Sequence, residues 1–212
     1  MHQLHRDPVA PAVLARHEKT KALWSMTSPN GTERGEIWDK LGVMQGARCA
    51  YCEAKLLKGK RHIEHFRQRS RYPQGTYDWG NLFGSCDREA SCGKHKDRCD
   101  TYDHTDLIKP DTEDPEKFFV FSPDGSVQPR VNLNKADRYR ATETIRIFNL
   151  NGAWRQSRRY EIEGYVQIAE HFAELAANFK ESEWWPLFQK ELAQIAHLPF
   201  ATAIKHVLTR RN

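Results

Sequence analysis

Four cysteines, an acid-histidine dipeptide and an asparagine fall together between Cys49 and Lys96. Cys49 and Cys52 form a C-x-x-C pair, a spacing that lets both thiolates meet one tetrahedral zinc. Cys86 and Cys92 are more widely spaced but complete a four-thiolate set. Four thiolates leave no open position, so this zinc is structural, and its binding energy helps a stretch poor in apolar residues to fold. The plain alternative is four unrelated thiols; the paired spacing favours metal over disulfides in a chain with no export signal. Cys99 is left over, with packing or a free thiol as its reading.

Between the cysteine pairs stand residues that suit phosphodiester hydrolysis. That reaction needs a general base for water and one divalent cation to stabilise the developing charge. His65 suits the base because imidazole titrates near neutral pH. Glu64 offers the hard oxygen that Mg²⁺ or Mn²⁺ prefers. Asn81 is placed to hold the other ring nitrogen of His65 and fix its tautomer. Taken singly, each has a dull alternative: an exposed Glu, a surface His, a turn Asn. His62 reads equally as a phosphate contact or as a solvated side chain.

The ordered set resembles the HNH (ββα-metal) nuclease family: Cys-x-x-Cys, Glu-His, Asn-Leu-x-x-x-Cys and Cys-Gly-x-x-Lys. In that family an acid ligates the metal, the next His is the base and a later Asn orients it, roles that map to Glu64, His65 and Asn81. Five further stretches are similar to the PtuB effectors of Septu and retron-associated anti-phage systems. They are Ile37–Leu41, Arg48–Glu53, Ile63–Arg67, Asp78–Leu82 and Phe118–Phe121, and the similarity runs to about Asn151. The resemblance implies a PtuA-type ATPase partner and, in retron versions, a reverse transcriptase with its RNA-linked DNA.

One departure concerns the second protein ligand of the catalytic cation. The family places it directly after the final Cys, where this chain has Gly93. His95 is the expected ligand instead, from a helix starting near Gly93, with Asp97 as the rival on another face of that helix. Lys96 is expected to face phosphate or solvent.

Charge supports a polyanionic partner. The chain carries 33 Lys and Arg against 28 Asp and Glu, a net charge of +5. The Cys49–Lys96 stretch holds the surplus, with Lys58, Lys60, Arg61, Arg67, Arg69 and Arg71 as candidate phosphate contacts. No apolar run approaches a membrane span and the first residues lack the apolar core of a signal peptide, so a cytoplasmic location is expected. Two rival functions stay open: a zinc finger that binds nucleic acid without cutting it, and an adaptor that binds only protein. Neither gives a reason for Glu64-His65 with Asn81.

The elements that must position these residues are legible in outline. The expected fold is α+β, a zinc-stapled ββα-metal finger (residues 49–100) behind an N-terminal helical segment (1–48). A linker with a β-hairpin (101–134) and a helical C-terminal region (135–212) follow. Val13, Leu14, Leu23 and Trp24 suggest one helical face. Pro29-Asn30-Gly31 signals a turn, and Ile37, Trp38 and Leu41 mark the buried side of a short helix. Arg16, Lys19 and Lys21 are read as a solvated face. Residues 100–115 read as a polar linker or surface loop. Phe118–Phe121 and Val127 flank Asp124-Gly125, a hairpin signal. Asn134 is a candidate N-cap for a helix through Ala141, Ile145 and Phe148. Tyr165, Ile168, Phe172, Leu175 and Phe179 form a helical stripe, repeated by Phe188, Leu192 and Ile195, which reads as the core of a bundle or in part as a docking face.

Overall fold

The computed structural model describes residues 1–20, Trp24 and 32–209. Lys21, Leu23 and Pro29-Asn30-Gly31 lie outside the described residues. Two helices precede the finger, α1 (Ala12–Thr20) and α2 (Thr32–Gln45). Val13, Leu14, Ile37 and Leu41 are buried, as their spacing predicts, but Trp38 is only half-buried.

The centre is a two-stranded antiparallel hairpin, β1 (Arg61–His65) and β2 (Leu82–Cys86), followed by a short helix, α3 (Cys92–Arg98). Glu64 stands opposite Phe83, and His65 opposite Leu82. A two-stranded sheet leaves backbone groups open along its edges, and a buried side chain closes one of them here. The Gln45 amide donates to the Gly84 carbonyl (2.9 Å) and accepts from the Gly84 amide (2.7 Å). Gly84 is needed for this approach, because a Cβ there would lie 2.9 Å from the Trp38 ring. Behind the hairpin, Tyr51 stacks on Phe148 with centroids 3.9 Å apart, and Phe66 and Phe83 fill the space around them.

The stretch expected to be a polar linker holds a buried pair, Leu107 and Ile108. The Ile108 amide donates to Thr144 Oγ1 (2.8 Å), which ties the segment to the next helix. The hairpin forms as its Asp-Gly turn predicts: β3 (Phe119–Phe121) pairs with β4 (Val127–Pro129), and Gly125 turns at φ +78°. Helix α4 (Lys135–Ile147) starts at Asn134, whose Oδ1 accepts from the Asp137 amide (2.9 Å).

The C-terminal region holds α5 (Arg155–Asn178), α6 (Glu181–Ile195) and α7 (Ala201–Leu208). The α5 stripe is less buried than core: Tyr165, Ile168, Phe172 and Leu175 are half-buried and Phe179 is exposed. Phe188 and Ile195 on α6 are buried. The deepest part of this region is α7, which carries no long periodic pattern of its own and buries Ala203 and Ile204 completely. Its start is hung on the C-x-x-C turn, where the Thr202 amide donates to the Glu53 carboxylate (3.0 Å) and the Phe200 amide to the Glu53 carbonyl (3.1 Å). Among the described residues, no helix is long and apolar enough to cross a membrane.

Candidate functional site

The four cysteines converge. Their sulfurs all lie within 4.8 Å of one another, and all four residues are buried. The C-x-x-C turn supplies Cys49 and Cys52, the end of β2 supplies Cys86 and the start of α3 supplies Cys92. Trp154 Nε1 donates to Cys86 Sγ (3.3 Å), and Ser91 Oγ lies 3.4 Å from Cys92 Sγ. Burial pushes the Cys52 and Cys92 thiols well above the usual thiol value, so four thiolates share this space only beside a cation. The donor set and its outer contacts fit a structural zinc. Cys99 lies outside the cluster, its thiol 3.4 Å from the His95 carbonyl.

A cleft of about 950 Å³ is lined by His62, Glu64, His65 and Asp97, with Trp24 and Trp38 in its walls. Glu64 is 2% exposed, and burial pushes its carboxyl up to about 7 despite the nearby Lys96. Both ring nitrogens of His62 are buried without a hydrogen-bond partner, whereas Glu64 Oε1 faces the Lys96 ammonium. Gly93 makes room for the carboxylate: a Cβ there would lie 2.6 Å from Glu64 Oε2.

His65 Nε2 lies 3.0 Å from the Thr76 carbonyl. A carbonyl only accepts, so Nε2 carries the proton and Nδ1 keeps its lone pair. Burial lowers the His65 pKa to about 3, which keeps the ring neutral at physiological pH but makes it a weaker base than the near-neutral imidazole expected from the sequence. The orienting group is therefore Thr76, not the Asn81 side chain expected from the sequence. Asn81 acts one step back. Its amide donates to the carbonyls of Gly75 (2.9 Å) and Arg67 (3.1 Å) and accepts from the Arg67 amide (2.6 Å), pinning the turn that carries Thr76. Thr76 works through its backbone, which no residue type announces.

Helix α3 departs from expectation at two positions. His95 turns away from the cleft, with Nδ1 2.9 Å from the Ile147 carbonyl, while Asp97 lines it. The helix begins at Cys92, whose φ of 53° lies in the left-handed region. Lys96 faces neither phosphate nor solvent. It is fully buried, with Nζ 3.1 Å from Glu64 Oε1 and 2.7 Å from Asp97 Oδ1.

The predicted basic residues divide. Lys58, Arg61 and Arg69 line the cleft. Arg61 also sits over the Trp38 ring, 4.0 Å from its centroid. Lys60 is exposed but does not line the cleft. Arg67 is paired to Asp78 (2.6 Å), and Arg71 donates to the backbone carbonyls of Cys99, Asp100 and Tyr102. Those last two serve the fold before any phosphate. Arg34 and Lys94, not singled out from the sequence, join the cleft wall.

No family model matches the chain. Comparison with curated proteins points to the HNH endonuclease class. The relative found is "Retron Vc95 putative HNH endonuclease" of Vibrio cholerae serotype O1 biovar El Tor, 28% identical over 140 residues. The match covers 62% of this chain and 66% of that protein, just under two thirds of its length.

Proposed function

We propose that this chain is a metal-dependent nuclease of the HNH type, built on a ββα-metal finger stapled by zinc. The observation that carries the reading is the neutral His65, its Nε2 proton held by the Thr76 carbonyl, beside the buried carboxylate of Glu64 in a cleft with basic walls. His65 Nδ1 takes the proton from the attacking water. Asn81 keeps the Thr76 carbonyl in place, so the basic lone pair stays aimed. Lys58, Arg61 and Arg69 hold the phosphate backbone. Glu64 would hold a divalent cation, and its buried carboxylate and the unpartnered imidazole nitrogens of His62 fit such a group. When bound, Mg²⁺ or Mn²⁺ supplies positive charge for the phosphate and the leaving oxygen.

The retron relative supports a place in anti-phage defence. We assign the chain the role of nuclease effector in such a complex, alongside a PtuA-type ATPase and, in a retron setting, a reverse transcriptase with its RNA-linked DNA. The test is cleavage of single- and double-stranded DNA and RNA by zinc-loaded protein, with added Mg²⁺ or Mn²⁺. His65→Ala should lose about 10²–10⁴-fold in rate, the usual contribution of a positioned base, with zinc content unchanged. Equal rates in parent and variant would remove His65 as the base.

A further inference from the structure

We propose that the divalent cation of the cleft is held from a single strand, by His62 Nε2 and Glu64 Oε2, with Asp87 behind the imidazole. The inference rests on the nuclease reading and names its metal ligands. It differs from a ligand pair divided between β1 and α3.

Geometry comes first. His62 and Glu64 are two residues apart on β1, so their side chains leave the same face of the strand. His62 Nε2 lies 3.9 Å from Glu64 Oε2. Neighbouring donors around an octahedral cation with bonds of about 2.1 Å sit roughly 3 Å apart. A small rotation of either side chain closes that gap. Gly93 leaves Oε2 accessible, since any larger residue would press on the carboxylate.

Satisfaction of polar groups points the same way. His62 is about three-quarters buried, yet neither ring nitrogen has a hydrogen-bond partner. Buried imidazoles are rarely left so, and a ligand is one standard explanation. Its far nitrogen, Nδ1, lies 3.7 Å from Asp87 Oδ1. A carboxylate behind a ligating histidine is the usual arrangement for fixing the tautomer and raising the basicity of the ring. Lys94 Nζ holds that same Asp87 oxygen at 2.8 Å and keeps the carboxylate in position.

Helix α3 is less well placed to supply a ligand. His95 is committed to the Ile147 carbonyl, and Asp97, which lines the cleft, has its Oδ1 held by the Lys96 ammonium. That ammonium also occupies Glu64 Oε1, the oxygen on the side away from His62. Lys96 thus takes the position where a helix ligand would draw in the metal, and it neutralises the two carboxylates from within the protein. Among the described residues, the four cysteines are the one group of three or more ligating side chains within 4.8 Å. A His-Glu pair is therefore a two-ligand site, with water and phosphate oxygens filling the other positions, as hard divalent cations accept. The nitrogen ligand favours Mn²⁺ over Mg²⁺.

The experiment is Mn²⁺ titration of zinc-loaded protein, followed by electron paramagnetic resonance, for the parent, His62→Ala and His95→Ala. His62→Ala should weaken Mn²⁺ binding by at least about tenfold, the loss that even an outer-shell partner can cause. His95→Ala should bind like the parent. A second measurement needs no variant: in parent protein with labelled histidines, sub-stoichiometric Mn²⁺ should broaden the ring signals of His62 far more strongly than those of His95, because the broadening falls steeply with distance from the ion. A parent that takes up no Mn²⁺ and cuts no nucleic acid overturns the nuclease reading and this inference with it. A parent that binds Mn²⁺ and cuts, with His62 signals no broader than those of His95 or His62→Ala affinity unchanged, overturns this inference alone.

Discussion

One small hairpin carries two clusters of ligating side chains, and they differ in kind. The four cysteines are sealed from solvent, aim at one another and have every sulfur within reach of the rest. His62, Glu64 and His65 line an open cleft, and both ring nitrogens of His62 have no hydrogen-bond partner. A closed donor set spends its bonding capacity on holding the chain. An unfilled one keeps that capacity for something that arrives later. Both draw on the same two strands: β2 ends in Cys86, while β1 carries His62, Glu64 and His65. Rigidity in the closed set is what allows unsatisfied groups to stay ordered in the open one.

That contrast can be tested from its strongest consequence downwards. Cys52→Ser should lose zinc and become protease-sensitive or insoluble, because the metal's binding energy is folding energy. A soluble, protease-resistant, zinc-free Cys52→Ser protein would break the contrast outright. Gly93→Ala should spare zinc and fold while displacing the Glu64 carboxylate, with a drop in cleavage of about 10²-fold, in line with roughly 1 Å misplacement of catalytic groups. Parent-like cleavage by Gly93→Ala would mean that Glu64 has no fixed place in the chemistry. Asn81→Ala should cost less than His65→Ala, about tenfold, because it loosens the Thr76 turn without deleting the base; losses equal to those of His65→Ala would assign Asn81 a direct role. The smallest effect concerns affinity. Lys58→Glu combined with Arg69→Glu should make binding less salt-dependent, lowering the slope of log affinity against log salt by about 1–2. The same pair of reversals at Arg67 and Arg71 should act mainly on stability, since both guanidiniums are already committed within the protein.

Much of this was legible in the sequence because some residue types carry local rules. The C-x-x-C pair, the Asn134 cap and the Asp-Gly turn act over a few residues, and the structure places each as the spacing predicts. What the sequence hid depended on the backbone or on distant parts of the chain. Thr76 acts through a carbonyl. The exchange of His95 for Asp97 in the cleft goes with a contact to a distant carbonyl, that of Ile147, which holds His95. Lys96 reads as a surface lysine until Glu64 and Asp97 are known to flank it. The aromatic stripe of α5 is real but packs on one side only, so a pattern that reads as core is left half-buried.

Glu53 follows the second zinc-cluster cysteine and is 1% exposed, and its carboxylate and carbonyl receive the amides of Thr202 and Phe200. This contact has a consequence for synthesis of the chain. All four cysteines have been translated by residue 92, long before Phe200 and Thr202, whose amides bond to Glu53, while the Met1 amino group that pairs with the same carboxylate is present from the start. A nascent finger could therefore bind its metal while the acid beside the cluster still lacked the two amides at the start of α7. Contacts of such long sequence separation form late and slowly. The C-x-x-C turn would then take its final packing only as α7 emerged from the ribosome.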